Sequence, residues 1–141
     1  MDTPSLETPE EAEHAFYVAF QAANLVAMMR VWADDDAVVC IHPLGPRLQG
    51  RAAIEQGWRE MFQAGTPLRF EVMQSQRTHG QLLAVHCVRE MIYFGPQLRR
   101  RTEILATNVY RKTPDGWRMF LHHGSPVEAP ELSGADSGTL H

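Results

Sequence analysis

Four long runs of β-type sequence crowd the second half of this chain, each joined to the next by a short turn. Leu68 to Thr78, Gln81 to Tyr93, Leu98 to Thr113 and Trp117 to Ser125 are the runs, and His79-Gly80, Gly95-Pro96 and Pro114-Asp115-Gly116 suit antiparallel hairpins. A meander of this kind leaves a face to be covered, and the first half of the chain has to supply the cover. That half reads as three helices. Thr8-Pro9-Glu10-Glu11 is a helix start, with Thr as N-cap, Pro at the first helical position and carboxylates in the electropositive first turn. The helix should run to about Ala23, with Ala12, Ala15, Phe16, Ala19, Phe20 and Ala23 as one apolar stripe and Tyr17 beside it. A second helix, Asn24 to Trp32, closes before Asp34-Asp35-Asp36, which reads as a solvated turn. A third follows Gly50 from Ala52 to Phe62, with Ile54, Trp58, Met61 and Phe62 on one side. Three helices followed by a four-stranded meander predict an α+β domain.

With 141 residues, 44% of them apolar, the chain suits one domain, expected over 1–125, with a flexible tail over 126–141. A net charge of −4 with scattered cations offers no basic face for nucleic acid. Arg99-Arg100-Arg101 is expected at the start of an exposed strand. Cys40 and Cys87 lie in apolar runs and suggest free thiols in a reducing compartment. No apolar stretch approaches the ~20 residues that span a bilayer, and the acidic start MDTPSLETPEE is unlike a signal peptide, so a cytoplasmic location without membrane association is expected.

The stretch Trp32 to Ile54, WADDDAVVCIHPLGPRLQGRAAI, carries a more specific signal: a helix end, a short apolar strand over 37–41, a turn and a helix start. His42 ends the strand and Pro43 stops the ladder, which sets an imidazole where strand becomes turn. This stretch resembles the helix-strand-Gly-Arg-helix signature of the nuclear transport factor 2-like (NTF2-like) superfamily, and WRMFLHHGSP at 117–126 resembles the closing strand of its SnoaL-like members. The resemblance implies a cystatin-like fold, in which a curved antiparallel sheet wraps three N-terminal helices as a cone around an apolar cavity. It also implies a homodimer formed through the sheets. Ketosteroid isomerases of this superfamily place a catalytic Asp before the Pro of the turn, and His42 stands at that position in His42-Pro43-Leu44-Gly45. Their protonated oxyanion donor on a late strand corresponds to Asn108, and their helix-one Tyr to Phe16, with Tyr17 about 100° further round the helix. An imidazole at position 42 would serve as a base at neutral pH without tuning.

Other candidates follow from the residues. His122 and His123 on the last strand must face opposite ways, and strict alternation groups His123 with Trp117, Met119 and Leu121, leaving either able to enter the cavity. Glu90 is either an acid inside the cone or, the reading favoured by frequency, the partner of an arginine on a neighbouring strand. Phe16, Trp58, Met61, Phe62, Tyr110 and His123 complete the expected ligand-contacting set. No HxH, HExxH or CxxC spacing supports a metal, neither Cys is beside an evident base, and no cofactor is expected. The functional expectation is a small apolar or amphipathic organic ligand bound in the cone. Acid-base isomerisation, dehydration or cyclisation would run through His42 and Asn108, and the alternative is a non-catalytic binding or dimerisation module.

Overall fold

The computed structural model describes residues 6–127. Helix α1 spans Pro9–Ala22; Thr8 caps it, accepting from the Glu11 N–H at 3.1 Å, and Ala23 ends it with a left-handed φ of 53°. Ala23 is therefore exposed and does not continue the apolar stripe. Helix α2 is Leu25–Val31, capped by the Asn24 side chain, and α3 is Arg51–Gln63. The strands are β1 Val39–Ile41, β2 Arg47–Gln49, β3 Arg69–His79, β4 Leu83–Phe94, β5 Arg100–Thr113 and β6 Gly116–Pro126.

They form one sheet in the order β2-β1-β6-β5-β4-β3, with the helices packed on one face. The four long strands are an antiparallel meander, but β1 lies parallel to β6, pairing Cys40 with His122, so the sheet is mixed and not wholly antiparallel. Strand β2 was not expected; three residues, two of them exposed, carry no period-2 signal. Pro126 still belongs to β6 and the Val127 N–H donates to the Glu103 carbonyl at 3.0 Å, which carries the ordered domain past its expected end at 125. The rest of the expected tail, 128–141, lies outside the described residues.

The Gly-Arg of the signature has a structural role. Gly50, at φ 91°, donates its N–H to the Val38 carbonyl at 2.9 Å and turns the chain from β2 into α3. The Arg51 guanidinium then bonds the carbonyls of Met29 (2.6 Å), Trp32 (2.9 Å) and Ala33 (3.3 Å), satisfying the open C-terminal end of α2. Asp35, centre of the acidic triplet, is not simply solvated. Its carboxylate accepts from the Ala37 N–H at 2.7 Å and pairs with Arg111 at 2.8 Å, and these two partners hold its pKa below the usual range. Arg99 to Arg101 are exposed at the start of β5, as their sequence position suggested.

The concave face of the sheet and α1 enclose an aromatic core in which Phe16, Phe20, Trp58, Phe62 and Phe70 meet edge to face or tilted, with centroids 4.4–6.5 Å apart.

Candidate functional site

Inward-facing positions of such a sheet are ordinarily apolar, yet one row across this one is polar. Register aligns Cys40 on β1, His122 on β6, Asn108 on β5, His86 on β4 and Arg77 on β3. Four residues along β4 from His86, on the same face, is Glu90. Cys40, His86, Glu90, Asn108 and His122 are all buried, so each polar atom among them needs a partner inside the protein.

They find partners in a chain of hydrogen bonds closed by α1. The Tyr17 hydroxyl donates to Glu90 Oε2 at 2.5 Å and accepts from Asn108 Nδ2 at 3.0 Å; Asn108 Oδ1 in turn accepts from His122 Nδ1 at 2.6 Å. That leaves the His122 lone pair on Nε2. His42 continues the line, its ring centroid 6.1 Å from that of His122 and 4.7 Å from that of Trp58, which it meets edge to face. Trp58 itself is fully buried, and its Nε1–H has no acceptor among the described residues.

Burial sets the protonation of this group. Glu90, 2% exposed, is pushed up to about 7 by desolvation, against the pull of the Tyr17 hydrogen bond. Desolvation also lowers His42 to about 4 and, with the nearby His42 and His123, His122 to about 3, while the phenol of Tyr17 is raised by burial and by Glu90. At neutral pH the site thus holds two neutral imidazoles and a carboxyl group poised between its two forms. The Cys40 thiol lies 3.6 Å from His42 Nε2, beside a base after all, but burial raises it to about 12, so it stays a weak donor and not a nucleophile.

Several expectations change here. His42 is not an untuned base; its depressed pKa keeps it neutral and makes it a weaker proton acceptor. Asn108 is in the group, but both ends of its amide are already engaged, to Tyr17 and to His122. The phenol is supplied by Tyr17, not at the Phe16 position. Both residues are buried because α1 lies within the concave sheet, where the contact arc is wide enough for adjacent side chains. Among the described residues Glu90 has no arginine partner. Arg89, on the other face of β4, is the residue that pairs across the sheet, with Glu103 at 2.6 Å. Of the last-strand pair, His122 faces inward at 1% exposed and His123 is exposed on the outer face. The register slips at Phe120, pairing Tyr110 with Met119 but Val109 with Leu121, and that bulge puts Met119 and His122 on the same face despite their odd spacing.

Of the remaining predicted contacts, Phe16 and Trp58 form the apolar wall beside His42 and His122. Phe62 and Met61, with Phe20 and Leu68, line a cavity of about 130 Å³ at the α3 end of the cone. Tyr110 is fully buried further along β5, against the ring of His86 at 5.1 Å. His123 lines a different depression, of about 400 Å³ on the outer face, with Cys87, Leu105, Thr107 and Ser125. A groove of about 590 Å³ lies between α1 and α2, lined by Ala15, Val18, Ala19, Ala27 and Val31, and none of the predicted site residues reaches it.

A second polar cluster adjoins the row at the β3 edge, unforeseen because its members come from three elements. His86 Nδ1 donates to Glu13 Oε1, whose other oxygen is 3.7 Å from Arg77. His86 Nε2 is 3.1 Å from His79 Nε2, which is 3.0 Å from Glu10 Oε2.

The sequence pattern of the SnoaL-like domain matches residues 10–129. Among solved structures, the chain is 49% identical to a Thiobacillus denitrificans protein described provisionally as a calcium/calmodulin-dependent protein kinase type II association domain (TM-score 0.83; 89% of this chain and 99% of that one covered). It is 29% identical to a Streptomyces avermitilis protein of the NTF2-like family described provisionally as a dehydratase (TM-score 0.75; 84% and 93% covered). A ketosteroid isomerase-like protein from Erwinia carotovora atroseptica, 16% identical, shares the fold (TM-score 0.68; 85% and 94% covered). A search of curated proteins found no match.

Proposed function

Because the chain belongs to the SnoaL-like domain family, we propose that its cone binds a small amphipathic organic molecule and moves protons on it without a cofactor. The observation that carries this reading is the buried chain Glu90–Tyr17–Asn108–His122 ending beside His42, in which Glu90 is held near neutrality. Such a chain is more than the fold needs, since apolar residues would fill the same positions without desolvating a carboxyl group.

The chemistry it suits is enolisation of a carbonyl compound. With Glu90 protonated, its O–H donates to the Tyr17 oxygen, which also accepts from Asn108, and the phenolic proton turns toward the ligand. A lone pair of His42 takes the proton α to the carbonyl; the C–H electrons form the new C=C bond and the carbonyl π electrons move onto oxygen, which accepts the Tyr17 hydrogen bond. Returning the proton to another carbon completes an isomerisation, and passing it to a departing β-hydroxyl completes a dehydration. The Trp58 Nε1–H, without an acceptor among the described residues, supplies a further donor. The provisional dehydratase description of a relative 29% identical is consistent with this class.

Self-association belongs to the same proposal. On the outer sheet face, Leu105 is 51% exposed beside the depression lined by Cys87, Thr107 and His123, a surface suited to a second copy. The rival reading, a non-catalytic binding or dimerisation module, is favoured by one observation: the 130 Å³ cavity beside Met61 and Phe62 is below the 300–1,000 Å³ typical of ligand sites, so Phe62 would have to swing aside for a ligand.

The test is a thermal-shift screen of small enolisable ketones, aldehydes and β-hydroxy carbonyl compounds, followed by solvent-deuterium exchange on each binder. Exchange or turnover that His42→Ala abolishes and Glu90→Gln slows supports the acid-base reading. Binding without exchange in the wild type supports the module, and exchange unaffected by His42→Ala removes His42 as the base.

A further inference from the structure

We propose that Glu10, His79 and His86 form a divalent-cation site, best matched to zinc, at the β3 edge of the sheet, with Glu13 fixing the orientation of His86. The proposal rests on donor geometry and is independent of the chemistry in the cone. The three donor atoms, Glu10 Oε2 and the Nε2 atoms of His79 and His86, all lie within 4.8 Å of one another. Two of their separations, 3.1 Å between the imidazole nitrogens and 3.0 Å from His79 to Glu10, are close to the ~3.3 Å edge of a tetrahedron with ~2.05 Å metal–nitrogen bonds. The third closes if the Glu10 carboxylate turns inward, and its half-exposed side chain is free to do so.

The proton positions in the cluster favour the same arrangement. His86 uses its Nδ1 proton on Glu13, so its Nε2 presents a lone pair to His79 Nε2. His79 Nε2 faces both that lone pair and the Glu10 carboxylate, and a single N–H serves two acceptors poorly. A cation at the centre turns all three into ligands. The Glu13–His86 contact is the carboxylate–histidine pairing that orients metal-bound imidazoles, and Arg77, 3.7 Å from the second oxygen of Glu13, anchors that carboxylate from behind. His86 is fully buried, whereas His79 and Glu10 have side chains about two-fifths exposed, so the site is fixed on its inner side and open to solvent on the other. Two imidazoles, one carboxylate and an open position suit zinc and disfavour the all-oxygen cations.

The experiment is calorimetric titration of the metal-stripped full chain with ZnCl2, repeated with CoCl2 to read the visible bands of four-coordinate cobalt. One equivalent should bind the wild type and raise its melting temperature. His79→Ala should weaken binding at least 100-fold and abolish the cobalt bands, Glu13→Gln should weaken it 10–100-fold, and His123→Ala, on the outer face, should leave it unchanged. Should Glu13→Gln fail to fold, Glu10→Ala, whose side chain is about two-fifths exposed, takes its place with an expected loss of at least tenfold. Wild-type protein that binds no equivalent of zinc, or His79→Ala that binds it as the wild type does, overturns the proposal.

Discussion

Replacing Glu90 with Gln should stabilise the protein at alkaline pH and leave it nearly unchanged at acid pH. Glu90 ionises at about 7 in the fold and at the ordinary carboxyl value of 4.5 in the unfolded chain. Between these two values the native state binds more protons than the unfolded one, so stability falls as pH rises through the interval. About 2.5 pH units at about 1.36 kcal/mol each gives about 3 kcal/mol lost by pH 8. Gln is a neutral isostere of the protonated form and can still accept from Tyr17, so it does not incur that loss. Urea denaturation of both proteins from pH 4.5 to 8.5 should show curves that coincide near pH 4.5 and separate by about 3 kcal/mol at pH 8, or on the order of 10 °C in melting temperature for a domain of this size. His42 and His122 act in the opposite sense. Their lowered pKa values mean that the unfolded chain binds more protons below 6.5, so both proteins lose stability as pH falls from there, and wild type should be most stable near pH 6.5. The difference between the two proteins isolates Glu90. A difference that stays flat from pH 4.5 to 8.5 would refute the assignment of Glu90 as the titrating acid of the site.

Three further substitutions test the supports of the site and fold. Tyr17→Phe leaves Asn108 Nδ2 and Glu90 without their shared partner and should cost about 1–3 kcal/mol; because the lost hydrogen bond favoured ionised Glu90, denaturation should show the larger loss at pH 8 than at pH 5. Arg51→Met opens the three carbonyls at the end of α2 and should cost about 2 kcal/mol by urea denaturation, with Arg51→Lys recovering little because an ammonium lacks the planar fork. Gly116→Ala places a Cβ 2.6 Å from the Leu6 carbonyl oxygen at a φ of 110°, and a calorimetric scan should show a loss above about 2 kcal/mol.

Where chain chemistry is local, the sequence was a sound guide. Thr8, Asn24 and Gly50 mark three helix starts, and the turn signals at Gly80, Gly95 and Gly116 mark the hairpins, because capping, tight-turn hydrogen bonds and, at Gly95 and Gly116, positive φ are decided within a few residues. His42 could be placed at the strand end for the same reason, Pro43 following it and the Gly45 N–H closing the turn onto the His42 carbonyl at 2.8 Å. What depended on pairing was not legible. A bulge at Phe120 reverses parity for His122 and His123, and nothing in WRMFLHHGSP announces it. Glu90 reads as half of a cross-strand ion pair because mid-strand carboxylates are more often paired than buried, and the pair in fact falls to the adjacent Arg89. The burial that separates the two appears only once α1 is laid on the sheet.

The placement of α1 also explains why the two polar clusters lie side by side. Glu13 and Tyr17 are four residues apart on the helix, a rise of about 6 Å, while the β4 residues they engage, His86 and Glu90, are four apart on a strand, about 13 Å. Equal steps in sequence cover unequal distances, and the longer reach of Tyr17 makes up part of the difference. One helix face thus seals both the cone chemistry and the β3-edge cluster, and Asn108, paired across the ladder with His86 and bonded to Tyr17, lies between them. A cation that tightened Glu10 and His86 around it would hold the first turns of α1 to the sheet, and Tyr17 sits one turn beyond Glu13 on that same helix. Zinc occupancy at the edge should therefore slow hydrogen exchange of the α1 amides through Tyr17 as well as around Glu13. Protection confined to the first turn would mean that the two clusters share a helix without sharing its stability.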